Sequence, residues 1–238
     1  MKCLVIIPTY NESENIKKII KTVLKQPVKN LDILVIDDNS QDGTANIVKS
    51  LAKNDKRVQL IERPGKLGLG TAYKLGFKYA LERNYNFIFE MDADFSHNPE
   101  DIPRFIEAIK SCDLVIGSRY IKGGRILNWP SSRRILSFLA NKFAKYLTGV
   151  PVNDMTAGYK CYRRCVVEKY DFNKLRANGY GFQIETVFFA YKNKFRIKEI
   201  PITFQDRIEG SSKMSRKIIY EAFFRVLKLA IFERFFTS

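Results

Sequence analysis

Phe87-Ile88-Phe89-Glu90-Met91-Asp92-Ala93-Asp94-Phe95-Ser96-His97 sets an apolar run directly before two carboxylates, and Pro99-Glu100-Asp101 then opens a helix. In an extended segment residues two apart point to one face, so Asp92 and Asp94 can aim their oxygens at a single ion beyond the strand. Neighbouring carboxylates repel unless a cation lies between them. Hard divalent ions such as Mg2+ and Mn2+ take oxygen ligands and bridge carboxylates to substrate phosphates, which makes this a candidate metal and diphosphate site. A solvated strand-to-helix turn with a helix cap has the same spacing, so the flanking chain has to decide.

Upstream, a strand, polar turn and helix recur three times. Residues 3–7 are a continuous apolar run, as a central parallel strand requires. Pro8-Thr9-Tyr10-Asn11-Glu12 follows, then the helical spacing Ile16, Ile19, Ile20, Val23, Leu24, with Asn11 or Ser13 as its cap. Residues 33–36 form a second strand ending in Asp37-Asp38-Asn39-Ser40, and Asp42 or Thr44 caps a helix through Leu51. Residues 58–61 make a third strand, and the glycine-rich stretch 63–70 leads into a helix over 71–81. That stretch lacks the Gly-Lys-Ser/Thr ending of a phosphate-cradling loop. In open α/β sheets ligands bind beyond the carboxyl ends of strands, which places Thr9, Tyr10 and Glu12 near one and Asp38 against its ribose or base. With the further run 113–116 before Gly117-Ser118-Arg119-Tyr120, the pattern predicts a mostly parallel twisted sheet covered by helices.

The second half is basic and turn-rich. Gly123-Gly124-Arg125 and Trp129-Pro130-Ser131-Ser132-Arg133-Arg134 precede a helix over 135–147. Arg119, Arg133 and Arg134 suit bidentate phosphate binding, although a solvated basic face has the same composition. A helix around 163–170, a second over 179–192, and a strand over 195–204 broken by Pro201 come next. Glu185, among apolar neighbours in the second helix, calls for a cationic partner. From Met214 the pattern is helical and apolar around most of its circumference, which fits packing on the sheet or lying in a membrane interface. The expected layout is one catalytic domain over 1–213, with a nucleotide half 1–120 and an acceptor half 121–213, followed by an amphipathic helix 214–238.

The chain has 238 residues, 41 Lys and Arg against 25 Asp and Glu, and a net charge of +16. Such a balance points to a phosphate-bearing partner: nucleic acid, an anionic membrane surface or a phosphorylated small molecule. Cys3, Cys112, Cys161 and Cys165 have no metal-finger spacing and read as buried thiols in a reducing compartment. No signal-peptide core follows Met1, and no run reaches the roughly 18 apolar residues of a membrane span, so a cytosolic or peripheral location is expected.

Taken in order, Pro8-Thr9-Tyr10-Asn11-Glu12, Asp37-Asp38-Asn39-Ser40, Lys66 to Tyr73, Met91 to His97, Gly117-Ser118-Arg119-Tyr120 and Arg207 to Lys213 resemble the dolichol-phosphate mannose synthases, inverting family 2 glycosyltransferases of GT-A fold. The resemblance spans nearly the whole chain. It implies transfer of mannose from GDP-mannose to dolichyl or polyprenyl phosphate at the cytosolic membrane face, with Mg2+ or Mn2+. It assigns Pro8, Tyr10, Glu12 and Asp38 to the nucleoside, Asp92, Ala93 and Asp94 to the diphosphate, and the metal to Asp92 and Asp94. Arg119, Arg133 and Ser137 would face the acceptor phosphate, and Arg207 and Lys213 would close a loop over the donor. Some relatives have Gln where Ser96 stands, and a serine hydroxyl reaches less far. Many relatives continue into transmembrane helices absent here, so attachment would rest on the terminal helix, the basic surface or a small anchoring subunit.

A phosphate monoester is already ionised near neutral pH, with a second pKa of about 6, so this chemistry needs cations to orient the acceptor more than a general base. Two rivals stand beside it. One is a polyprenyl-phosphate glucosyltransferase using a UDP-sugar. The other is a non-catalytic nucleic-acid-binding protein, against which stand the lack of a recognition motif and the paired aspartates.

Overall fold

The computed structural model describes residues 1–177, 179–206, 226–229 and 231. Its centre is a seven-stranded sheet in the order β3-β2-β1-β4-β7-β5-β8, built from β1 (Cys3–Thr9), β2 (Leu31–Asp37), β3 (Val58–Glu62), β4 (Phe87–Glu90), β5 (Leu114–Ser118), β7 (Lys160–Arg163) and β8 (Ile197–Pro201). A short parallel pair, β6 (Arg125–Leu127) with β9 (Thr203–Gln205), stands beside it.

β1 shows why the sheet sits in the middle. Leu4 and Ile6 point into one apolar cluster, with Phe77, Tyr162 and Phe182, while Cys3, Val5 and Ile7 point into another, with Ile16, Ile20 and Phe105. Alternation along a strand sends neighbours to opposite faces, so a continuous apolar run must be covered twice. α1 (Ser13–Leu24), α2 (Thr44–Asn54) and α4 (Ile102–Ala108) cover one face. α3 (Leu69–Glu82), α6 (Arg164–Glu168) and α7 (Gly179–Lys192) cover the other. Val226 and Leu229, the buried positions of the C-terminal stretch that are described, join this second cluster; the rest of the expected 214–238 helix lies outside the described residues.

β7 departs from the expected reading. Residues 160–163, passed over or assigned to a helix start, form a strand antiparallel to both β4 and β5. Lys160 broke the apolar signature. Its ammonium is fully buried, 3.8 Å from the Glu90 carboxylate, and donates to the Gln183 carbonyl and to Thr186 Oγ1 at 3.0 and 3.1 Å. Burial raises the Glu90 carboxyl to about 7, against the pull of Lys160. A paired buried charge carries no periodic signal, because its energetics are set by a partner far away in sequence. The expected strand over 195–204 divides at Ile202: β8 joins the main sheet and β9 pairs with β6. α5 (Ser131–Thr148) starts four residues earlier than its apolar pattern indicates, which brings Arg133 and Arg134 into its first turn.

Candidate active site

The strand order runs outward in opposite directions from β1 and β4, and a crevice opens where their carboxyl ends part. This cleft has a volume of about 590 Å3. Pro8, Tyr10, Glu12, Asp38, Asp92, Ala93, Asp94, Arg119 and Arg133, all expected from the sequence, line it together. Ser137 sits one turn beyond Arg133 on α5, outside the lining. Arg207 and Lys213 lie outside the described residues.

The loop after β4 is shaped by its own backbone. Phe95 has φ 60°, a left-handed conformation that a bulky residue adopts only under constraint. This kink lets Asp94 Oδ1 accept the Ser96 backbone N–H at 3.1 Å. Asp94 is 6% exposed, while the Asp92 side chain is 33% exposed at the cleft surface. Ser96 Oγ is buried with no hydrogen-bond partner.

The residues present fit a hard divalent ion: two carboxylates two apart in sequence and an unsatisfied hydroxyl beside them, all oxygen donors. Among the described residues no group of three or more His, Cys, Asp and Glu side chains forms a closed cage, so further ligands would come from substrate phosphate and water.

His97 fixes this loop from beneath, a role that sequence reasoning did not assign. It is buried, and its Nδ1 accepts the Asp92 backbone N–H at 3.0 Å, so that nitrogen carries no proton. Burial pushes the imidazole pKa down, against the opposing pull of Asp92 and Asp94. Its ring stacks on Tyr159 at 5.0 Å and meets Phe204 edge-on at 5.7 Å. Gly158 gives it room, since a Cβ there would lie 3.2 Å from His97 Cε1. A lone histidine after two aspartates offers no spacing from which this buried acceptor role can be read.

At the β2 end, the two neighbouring aspartates divide the work. Asp37 is structural: its Oδ1 accepts from Thr9 Oγ1 at 2.8 Å and from Ser40 Oγ at 2.6 Å. Asp38 lines the cleft, and its Oδ1 is held by Arg63 Nε at 2.5 Å. Arg63 also donates to Thr71 Oγ1 and the Gly68 carbonyl, tying the glycine-rich turn to Asp38. Asp38 Oδ2 has no described partner and can accept from a ligand. Lys66 lies over the Tyr10 ring, 4.4 Å from its centroid, bringing a cation to the same wall.

The arginine end is more constrained than the sequence implied. Arg119 is buried in a bidentate pair with Asp154, Nε to Oδ2 and Nη2 to Oδ1 both 2.7 Å, with Thr156 Oγ1 at 2.9 Å from Nη2. Burial alone would depress its pKa, but Asp154 holds it above the ordinary arginine value. Asp154 is oriented in turn by Glu199, whose Oε1 accepts its backbone N–H at 3.0 Å. Nη1 is the edge of Arg119 with no described partner. Arg133 lies across Trp129, 4.1 Å from the ring centroid, and its Nη1 reaches the two Asp206 oxygens at 3.2 and 3.1 Å. Its Nε is buried without a partner. Glu185 accepts the backbone N–H of Ala177 at 3.1 Å.

A doubly covered, mostly parallel sheet with paired carboxylates at the tip of its fourth strand, an aspartate at the end of its second and guanidinium groups sharing the cleft defines a glycosyltransferase of GT-A-like fold. The chain belongs to glycosyl transferase family 2, whose model matches residues 4–171. It is 46% identical over 232 residues to the polyprenol monophosphomannose synthase of Mycolicibacterium smegmatis, covering 97% of this chain and 87% of that protein. It is 42% identical to the undecaprenyl-phosphate mannosyltransferase of Micrococcus luteus, covering 98% and 96%. The fold matches glucosyl-3-phosphoglycerate synthase from Mycobacterium tuberculosis bound to UDP, with TM-score 0.69, 14% identity, and coverage of 96% of this chain and 80% of that one. It also matches the mannosyltransferase PcManGT from Pyrobaculum calidifontis in complex with GDP-Man and Mn2+, with TM-score 0.58, 17% identity and coverage of 89% and 58%. No helix among the described residues is long and apolar enough to cross a membrane.

Proposed function

We propose that this chain transfers mannose from GDP-mannose to a polyprenyl phosphate with inversion, using Mg2+ or Mn2+ held by Asp92 and Asp94, and that it works peripherally at a membrane surface. The observation that carries the reading is the meeting, in one cleft, of the Asp92–Asp94 pair with the guanidinium groups of Arg119 and Arg133. The names of the two relatives above 40% identity support both sugar and lipid class.

The chain's own groups divide the task. Asp38 Oδ2 and the Tyr10 wall take the nucleoside, and Arg63 keeps the Asp38 carboxylate turned toward it. A divalent ion, when bound, would neutralise charge growing on the departing diphosphate. His97 holds the Asp92 backbone in register, so the carboxylates meet the diphosphate already placed. Arg133 offers a charged, stacked guanidinium to the incoming phosphate once Asp206 releases it, and Arg119 Nη1 provides a second donor. The attacking oxygen is already anionic, so no side chain has to remove a proton from it.

The test is turnover of GDP-mannose, GDP-glucose, UDP-glucose and UDP-mannose with one short-chain polyprenyl phosphate, run on the wild type and on Arg133→Lys. GDP-mannose should dominate, and the variant, which keeps the charge and loses the planar fork, should raise the acceptor KM by about tenfold with a smaller change in the donor KM. Preference for a UDP-sugar would establish the glucosyltransferase alternative instead. Unchanged acceptor KM would remove Arg133 from the acceptor site.

A further inference from the structure

α5 is fastened to the domain by hydrogen bonds more than by packing. Its buried positions are Asn141, Ala144 and Thr148, with no large apolar side chain among them, and Phe143 and Leu147 meet the core only partly buried. Asn141 is 1% exposed. Its Nδ2 donates to the Ser137 carbonyl at 2.9 Å and to Thr156 Oγ1 at 3.1 Å, and its Oδ1 accepts the Thr156 backbone N–H at 3.1 Å. One amide thus grips one residue twice, through main chain and side chain. Four residues on, Lys145 Nζ donates to Asn153 Oδ1 at 2.8 Å, a second tie to the same segment. A buried amide costs free energy unless its bonds are made, and an apolar side chain would hold a helix on a core at lower cost. What a satisfied polar contact adds is a single register, because apolar surfaces slide and hydrogen bonds do not.

The segment that α5 grips also holds the other guanidinium. Thr156 Oγ1 accepts from Arg119 Nη2 at 2.9 Å, and Asp154, two residues earlier, takes the bidentate pair. Glu199 fixes the segment from β8, its Oε2 accepting the Asn153 backbone N–H at 2.9 Å and Asn153 Nδ2 at 2.8 Å. Residues 153–156 are therefore a bracket, with Arg119 on one arm and α5 on the other. Thr156 stands where the arms meet, since Asn141 and Arg119 occupy both acceptor positions of its hydroxyl. Arg133 precedes Asn141 on the same helix by about two turns, or roughly 12 Å of axis. It lines the cleft together with Arg119 and Thr156. A shift of α5 along its axis moves Arg133 and leaves Arg119 where it is. We propose that Asn141 is a positioning residue of the acceptor site, whose clasp on Thr156 sets the separation of Arg119 and Arg133 so that both meet one phosphate. The proposal rests on the lipid-phosphate reading of the cleft.

The test uses Asn141→Leu, which is close in volume and makes none of these bonds, with Val167→Ala as a control that loosens the same core from α6, outside the cleft lining. Asn141→Leu should raise the KM for a short-chain polyprenyl phosphate about tenfold and move the KM for GDP-mannose by less than about twofold. Val167→Ala should lower unfolding stability and change neither KM. Added to Arg133→Lys, Asn141→Leu should leave the acceptor KM near that of Arg133→Lys alone, because it acts through that guanidinium. A combined rise of about a hundredfold would mean independent action and overturn the proposal. Thr156→Val, which deletes the hydroxyl, should share the acceptor defect, and Thr156→Ser, which keeps it, should recover most of the wild-type affinity. That pair decides the matter if Asn141→Leu does not fold. Trp129, the chain's only tryptophan, lies under Arg133 and reports the position of the helix without substrate. Its emission should shift in Asn141→Leu and Thr156→Val and match wild type in Val167→Ala. Equal rises in both KM values, a fall in kcat alone, or unmoved Trp129 emission would overturn the clasp. A wild type that turns over no polyprenyl phosphate, with the emission shift intact, would sink the lipid-phosphate reading and leave the clasp standing.

Discussion

Arg119 keeps its charge in a dry wall because Asp154, with no exposed surface of its own, stands against it. Removing one member of a buried pair leaves the other uncompensated, which costs about 3–5 kcal/mol. Asp154→Asn should lower unfolding stability in urea by roughly that amount, and a loss below about 1 kcal/mol would mean that water reaches the guanidinium. Asp42 makes a milder case. Partial burial alone would raise its pKa, yet hydrogen bonds from Thr44 and Ser13 hold it at about 2, joining the starts of α1 and α2. A carboxyl depressed on folding gives stability that is complete above its unfolded value of about 3.9 and is lost as pH falls through the folded one. Asp42→Ala should cost about 1 kcal/mol at neutral pH, and the gap to wild type should close as pH falls from about 4 toward 2. A gap that widens on acidification would contradict this assignment. At this scale the sequence disclosed residues that line the cleft, Asp38, Asp92, Asp94, Arg119 and Arg133, because strand ends and paired charges mark them. It hid Arg63, His97, Asp154 and Glu199, whose work is to hold those residues and whose partners lie 5 to 45 positions away.

Among the elements, strands with unbroken apolar runs were legible to within two or three residues, since burial on both faces leaves no polar positions to confuse them. β7 was not, because its Lys160 is satisfied by Glu90 and α7 rather than by periodicity. α5 was misplaced at its start for a related reason: its outward face is apolar, so the pattern began at Ile135 rather than at Ser131. The turn between β5 and β6 is equally determined by contacts that patterning cannot see. A Cβ at Gly124 would lie 2.7 Å from the Arg119 carbonyl oxygen and 2.8 Å from that of Ser118. Both are backbone and cannot swing aside, so Gly124→Ala must displace the segment carrying Arg119. A loss of about 1–3 kcal/mol in thermal or urea unfolding is expected, and a neutral substitution would show that the turn relaxes freely.

For the whole molecule, the sheet order brings the tips of β1, β2 and β4 to one edge, where Arg119 follows β5 and Arg133 arrives from α5. The cleft is thus lined from both halves of the chain, the strand-end carboxylates coming from the first and Arg133 from the second. The excess of positive charge is concentrated over residues 121–213, which could be counted from the sequence before its geometry was known. What could not be counted was which apolar surface stays outside, because exposure depends on three-dimensional packing.

The central claim is a divalent ion at Asp92 and Asp94, and the chain's only histidine reports on it directly, with His97 Nδ1 3.8 Å from Asp92 Oδ2. The measurement is the imidazole proton resonance of His97 followed by NMR while Mn2+ is added in the presence of GDP. The paramagnetic ion should broaden that single resonance beyond detection in the wild type and leave it sharp in Asp94→Asn. A resonance that stays sharp in the wild type, or broadens equally in the variant, would place the ion elsewhere and contradict the account.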